Sequence, residues 1–190
     1  MNRLTVALLA LAAVCSSLPS TAQTSSDEMQ AMMAYSTPGN IHKMLAKSAG
    51  LWTATVTMWM QPGAQPVSSS ASCTNEMILG GRYLQSKNTG NFMGQPFEGM
   101  AITGYDNAKK MFVNSWIDNM GTGIMTMTGA WDDADKAIKY SGTMVDPVSG
   151  KDIPVREVWR FVDDDTQVME MYSLMGDKEF KNMEVKYTRK

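Results

Sequence analysis

The sequence predicts an all-β protein built on an antiparallel up-and-down β-barrel of about ten strands, with a short N-terminal helix. Three observations predict this class. From Leu51 onward, apolar residues alternate with threonine and serine, which is the period of a half-buried strand. Turn-forming residues, such as Asp106 and Asn107, interrupt this pattern at short and even intervals. The chain also lacks the fixed-period repeat that would indicate a propeller.

The N-terminus has the pattern of a secretory signal peptide. Arg3 precedes an uncharged apolar run from Leu4 to Val14, and small residues lead up to Ala22. The run is shorter than the roughly 20 residues that span a bilayer. We therefore expect residues 1–22 to be cleaved after Ala22 and the protein to be secreted, with the periplasm as its location. The alternative is a lipoprotein signal that retains Cys15, but the Val14 before it fits that signal poorly.

A leader and one helix separate the signal peptide from the first strand. Residues 23–40 are polar and weakly periodic, and we interpret them as a flexible leader or a weak helix. Ile41, Met44 and Leu45 then recur at helical spacing, and Gly50 ends the pattern. The sequence therefore predicts a short helix in front of a barrel domain over residues 41–190.

The rest of the barrel domain divides at its turns into ten candidate strands. These are 51–60, 68–79, 82–89, 97–105, 110–118, 124–131, 137–145, 153–162, 166–175 and 180–189.

Composition excludes several functional classes. The net charge of −2 comes without a basic run, so nucleic-acid binding is disfavoured. No later segment reaches membrane-spanning length. Once the signal is removed, Cys73 is the only cysteine, so no intrachain disulfide can form. A nucleophilic pair of Cys73 with His42, the sole histidine, is possible, but a buried structural thiol is the more ordinary interpretation.

Methionine is the compositional outlier, with 19 residues in 190. Met58 and Met60 lie two apart in one predicted strand, as do Met125 and Met127 in another, so each pair projects to one face. Thioethers favour Cu(I), and these four residues are the weak candidates for a metal site. We expect them instead to fill a core or line a cavity, and we predict no metal.

Aromatic and charged strand residues are the candidates for a ligand pocket. Alternate residues of a barrel strand point inward, so several of them must share the interior. An Arg156–carboxylate pair within the barrel would bind a ligand head group or join strands, because an unpaired buried charge is costly. Ordinary core packing and outward, solvated placement are the alternatives. The ligand-binding candidates are Trp52, Tyr83, Phe97, Trp116, Asp118, Arg156, Glu170 and Tyr172.

No motif names a reaction. The aspartate groups at 132–135 and 163–165 lack the spacing of an EF-hand loop and are typical of hairpin turns. The sequence has no G-x-S-x-G elbow and no H-E-x-x-H motif.

An ordered set of short motifs resembles the domain-of-unknown-function family DUF1579, over residues 42–190. The motifs are His42 with Leu45, Gly50-x-Trp52, Trp59-x-x-Pro62-Gly63, Ile78-Leu79-Gly80-Gly81-Arg82, Gly94-x-Pro96-Phe97-Glu98-Gly99, Gly104-Tyr105-Asp106, Trp116-Ile117-Asp118, Asp146-Pro147-x-x-Gly150-Lys151, Glu170-Met171-Tyr172 and Tyr187-x-Arg189. The resemblance implies a calycin-like barrel, related in shape to lipocalins and fatty-acid-binding proteins, without an assigned activity.

A weaker similarity is to nitrobindins, which are haem-carrying barrels whose histidine ligand lies late in the chain. Here the sole histidine is His42, at the front. We therefore expect no haem and predict no cofactor.

These features favour the binding of a small apolar or amphipathic molecule inside the barrel. The alternatives are an isomerase or hydrolase that uses inward carboxylates and Arg156, a methionine-based Cu(I)-handling protein, and a filled barrel that serves as a structural or interaction module. An interior cavity would favour binding or catalysis, whereas a solid core would favour the module.

Overall fold

The computed structural model describes residues 21–175 and 178–190. Residues 1–20, which carry most of the predicted signal peptide, lie outside the described part, as does the predicted turn at 176–177. Residues Tyr35–Lys190 form one compact unit, and the described residues before Tyr35 belong to a separate one. No helix of the described residues is long and apolar enough to cross a membrane.

Two helices precede the strands. Helix α1, Thr21–Ser36, occupies much of the segment interpreted as a leader or weak helix, and α2 spans Asn40–Ala46. The ten strands are β1 Gly50–Met58, β2 Val67–Ile78, β3 Tyr83–Phe92, β4 Gln95–Asp106, β5 Met111–Asp118, β6 Met125–Asp132, β7 Ala137–Val145, β8 Asp152–Phe161, β9 Thr166–Met175 and β10 Lys178–Arg189.

The strands form one closed barrel in which each pairs antiparallel with its neighbours in the chain. β1 also pairs with β10, with Trp52 opposite Arg189, so the first and last strands close the cylinder. The predicted all-β up-and-down barrel with a short N-terminal helix is thus confirmed. Closure matters because it leaves no unpaired strand edge.

The helix α2 packs at one end of the barrel, which we call the helix end. Leu45 of α2 is fully buried with Phe112, Ile138 and Tyr140 in the apolar core. His42 packs edge-on against Tyr105, with ring centroids 6.1 Å apart. The helix therefore stabilises one side of the interior.

Candidate functional site

A cavity lies inside the barrel, between residues of seven strands. Its volume is about 70 Å³, and the cavity opens partly to solvent. Most of its lining residues have polar side chains, although Trp116, Trp159 and Met169 contribute a large apolar surface. The full lining is Cys73, Asn75, Ser86, Asn88, Ala101, Thr103, Asn114, Trp116, Glu157, Trp159, Gln167, Met169 and Tyr187.

The charged group of this lining is Glu157 on β8. Its residue is only 6% exposed, and it sits between Tyr140 of β7 and Met171 of β9 in the strand register. Burial raises the pKa of the Glu157 carboxyl to about 7, because removal from water disfavours the charged form. Glu157 thus changes charge near neutral pH, where a carboxyl group on the surface would be fully ionised.

The side-chain oxygen of Asn114 is another buried polar group of the cavity. Asn114 is 8% exposed, and its side-chain oxygen Oδ1 accepts no hydrogen bond from any described residue. A buried acceptor without a donor costs about 1–3 kcal/mol, so such atoms in folded proteins usually meet water or a ligand.

Ser48, in the turn between α2 and β1, organises the cavity wall at the helix end. Its carbonyl oxygen accepts bonds from Trp52 Nε1 at 2.9 Å and Asn75 Nδ2 at 3.0 Å. Its hydroxyl accepts a bond from Gln167 Nε2 at 2.9 Å. Gln167 Oε1 in turn accepts a bond from Trp159 Nε1 at 3.1 Å. These bonds fix the orientations of the amide and indole groups that line the cavity.

Cys73 belongs to the same wall. The residue is 3% exposed, and its thiol donates to Asn75 Oδ1 at 3.1 Å. Burial raises the pKa of this thiol to about 12. Burial also raises the pKa of the Tyr187 hydroxyl, and the neighbouring Cys73 and Glu157 raise it further by charge repulsion. A thiol that stays protonated at neutral pH is a poor nucleophile. His42 accepts a bond from the Gly39 N–H and packs on Tyr105, so neither group shows the interactions of a Cys73–His42 pair.

Three of the predicted ligand-binding residues cluster where β4 and β5 run side by side. Trp116 lines the cavity, and the ring of Phe97 stacks on it with centroids 6.3 Å apart. The Trp116 Nε1–H donates to Asp118 Oδ2 at 2.7 Å. A fourth, Trp52, is fully buried and donates to Ser48.

The other four predicted residues lie on the outer face of the barrel. Arg156 forms a bidentate pair with Glu179, with both N–O distances 2.7 Å, and covers the ring of Tyr172 at 3.8 Å. Glu170 pairs with Lys181 at 3.1 Å, and Tyr83 is 39% exposed.

The expectation of an Arg156–carboxylate pair within the barrel is therefore corrected. Because Glu157 points inward, strand alternation turns Arg156 outward, where its charge stays partly solvated. The alternative of an enzyme that uses Arg156 requires this residue inside the barrel, and the structure places it outside. Of the two candidate carboxylates, Asp118 and Glu170, the second also lies outside, where it pairs with Lys181.

The methionine pairs lie in different surroundings. Met58 and Met60 line a second cavity together with Met93. Met127 is 1% exposed in the apolar core, and Met125 packs against that core. The four candidate thioethers thus divide between two places.

Sequence reasoning missed most of the polar lining. Buried polar residues alternate with more exposed neighbours in these strands, so the period-two pattern carries a signal for a polar interior; they are Asn75, Asn88, Asn114 and Gln167. The same pattern places Glu157 on the face of Trp159. Because polar residues usually lie on the outer face of a strand, the sequence alone does not predict that these line the interior.

Comparison with known proteins identifies the family to which this chain belongs. The family model described as protein of unknown function (DUF1579) matches residues 37–189. The chain belongs to this family, and its fold is the calycin-like barrel that the motifs implied.

Among solved structures, the crystal structure of Rv2717c from M. tuberculosis is similar, with a TM-score of 0.60 and 11% sequence identity. The match covers 81% of this chain and 99% of that chain, and at this identity it concerns the fold alone. A search of curated protein sequences found no match.

Proposed function

We propose that the protein binds a small amphipathic molecule in the barrel cavity. The observation that carries the proposal is a buried cavity whose polar groups are not all satisfied by the protein, since Asn114 Oδ1 lacks a donor. Ligand sites commonly combine apolar walls with a few placed polar groups. Here Trp116, Trp159 and Met169 provide the apolar walls.

The polar lining favours an amphipathic ligand over a wholly apolar one. A hydrocarbon placed against Glu157, Asn114 and Gln167 would keep water from these groups without replacing its hydrogen bonds. A ligand with a polar head and a small apolar body satisfies both parts of the lining.

Native mass spectrometry of the protein, purified from its own cells without denaturation, tests this proposal. We expect an added mass of roughly one to two hundred daltons, because the cavity is smaller than those that accept drug-sized ligands. Ala101→Leu places a larger side chain in the cavity and should abolish the adduct, whereas Ala108→Leu in an exposed turn should retain it. An adduct that survives Ala101→Leu, or a bare polypeptide mass after incubation with cell extract, would contradict the proposal.

A further inference from the structure

The cavity is acidic as well as polar. Glu157 lies in its wall, and Asp118 accepts a bond from the lining residue Trp116. No Lys or Arg of the described residues lines it. Neighbouring basic groups are engaged elsewhere: Arg156 pairs with Glu179 outside, and Arg189 donates to backbone carbonyls at the helix end. Glu157 therefore forms no ion pair within the described part of the chain.

Hydrogen bonding points in the same direction. The N–H donors of Trp116 and Trp159 are used by Asp118 and Gln167, and the amide donors of Asn75 and Gln167 are used by Ser48. By contrast, Asn114 Oδ1 accepts no bond from the described residues, and neither does the buried hydroxyl oxygen of Tyr140, a group that can donate as well as accept. A molecule that enters the cavity is thus best matched if it brings hydrogen-bond donors.

We propose that the ligand is a small organic cation, in which an ammonium or similar donor group is attached to an apolar or aromatic body. This inference rests on the proposed function and specifies the chemical class of its ligand. The cationic group would pair with the Glu157 carboxylate and donate to Asn114 Oδ1, and the lining residues Trp116 and Trp159 carry indole rings, a group that attracts cations.

A cation also explains how the buried carboxyl can be ionised. In the absence of a counter-ion, an ionised carboxylate in this position is costly, so burial raises the pKa of Glu157 to about 7 and the carboxyl keeps its proton below that pH. A bound ammonium group would take the place of that proton, so that the Glu157 carboxylate is ionised and paired. Binding should therefore strengthen as pH rises through about 7.

The groups facing Glu157 do not compete for this role. Tyr140 on β7 and Tyr187 on β10 have raised pKa values, as does Cys73 on β2, so all three are uncharged between pH 5 and 8. β9 presents Met171 opposite Glu157 and contributes Gln167 and Met169 to the lining. Asp118 on β5, which accepts a bond from the lining residue Trp116, is a second acidic group nearby and would add to the attraction for a cation.

Isothermal titration calorimetry with three probes of one shape tests the proposal on the full chain. Benzylamine is a cation, benzyl alcohol is neutral and benzoate is an anion. We expect benzylamine alone to bind, and its affinity should fall by about tenfold or more between pH 8 and pH 5.5, where Glu157 is protonated. Benzylamine remains charged over this range, so the change reports on the protein.

Glu157→Gln should abolish benzylamine binding, whereas Glu76→Gln removes the same charge from the exposed face of β2 and should leave it unchanged. Equal binding of benzyl alcohol, or binding of benzoate, would overturn the cation assignment and leave the binding function standing. So would a native adduct identified as neutral or anionic. The charge series and the pH series use the unaltered protein, so they decide the matter even if Glu157→Gln folds poorly.

Discussion

At the scale of single residues, Glu157 shows that strand alternation alone decides whether a charge is paired outside or buried inside. Its neighbour Arg156 reaches Glu179 on the surface, whereas Glu157 has the least exposed carboxyl group of the described residues. The sequence predicts that residues 156 and 157 face opposite sides, but it does not tell which one faces in. In the structure Glu157 faces the cavity and Arg156 faces the outer surface.

We predict that Glu157 makes the protein less stable as pH rises from about 4.5 to about 7. Its pKa in the folded protein, about 7, is above its ordinary value of 4.5, so the native state binds the proton more tightly. This contribution is fully present below pH 4.5 and is lost as pH rises through 7, by about 3 kcal/mol. Urea unfolding, followed by circular dichroism between pH 4.5 and 8, measures it.

Glu157→Gln is the test, because the amide has nearly the same shape and no charge. The variant should match the wild type at pH 4.5 and exceed its free energy of unfolding at pH 8. Asp106, Asp132 and Asp146 have lowered pKa values, so they act in the opposite sense at more acidic pH and cancel in the comparison. A difference between variant and wild type that is constant across this range would contradict the prediction, and Glu76→Gln controls for loss of a surface charge.

At the scale of elements, the strands could be predicted closely because their ends are local. Turn residues such as Asp106 and Asp146, whose carboxylates accept backbone N–H bonds within the same turn, mark the strand ends in the sequence and in the structure. The arrangement of the cavity wall was not predictable in this way. Ser48 meets Asn75 and Gln167, which lie 27 and 119 residues further along the chain, and no local pattern records such contacts.

We predict that Ser48→Ala destabilises the protein by about 1–3 kcal/mol. The substitution keeps the carbonyl that serves Trp52 and Asn75, but it removes the hydroxyl that accepts from Gln167 Nε2, and that amide is left buried without an acceptor. Thermal and urea unfolding measure the loss. Ser68→Ala removes an exposed hydroxyl that contacts Thr57 at 3.3 Å, and it should change stability by less than about 0.5 kcal/mol. Equal effects of the two substitutions would contradict a structural role for the Ser48 hydroxyl.

At the scale of the whole molecule, the barrel depends on pairing between the first and last strands. The alternation of residues in β1 and β10 predicts that both are strands. It does not predict that they pair, because the pairing joins the two ends of the domain and depends on contacts far apart in the sequence. In the structure the closure is reinforced by Arg189, at the end of β10. Gly50 permits the close approach, because its φ of 127° disfavours other residues and a Cβ there would lie 2.9 Å from Arg189 Nη1.

We predict that Arg189→Lys weakens closure although it keeps the charge. The Arg189 guanidinium donates to the carbonyls of Ala49 at 2.8 Å, Lys47 at 2.7 Å and Asp164 at 2.9 Å, and it covers the ring of Trp52 at 4.2 Å. A single ammonium cannot reproduce this planar fork, so we expect a loss of about 1–3 kcal/mol in urea unfolding. Hydrogen exchange should accelerate first in β1 and β10. Arg160→Lys, on the outer face 3.6 Å from Glu170, should cost less than about 1 kcal/mol, because partly exposed ion pairs contribute little. If both substitutions cost the same, closure would rest on the strand pairing alone.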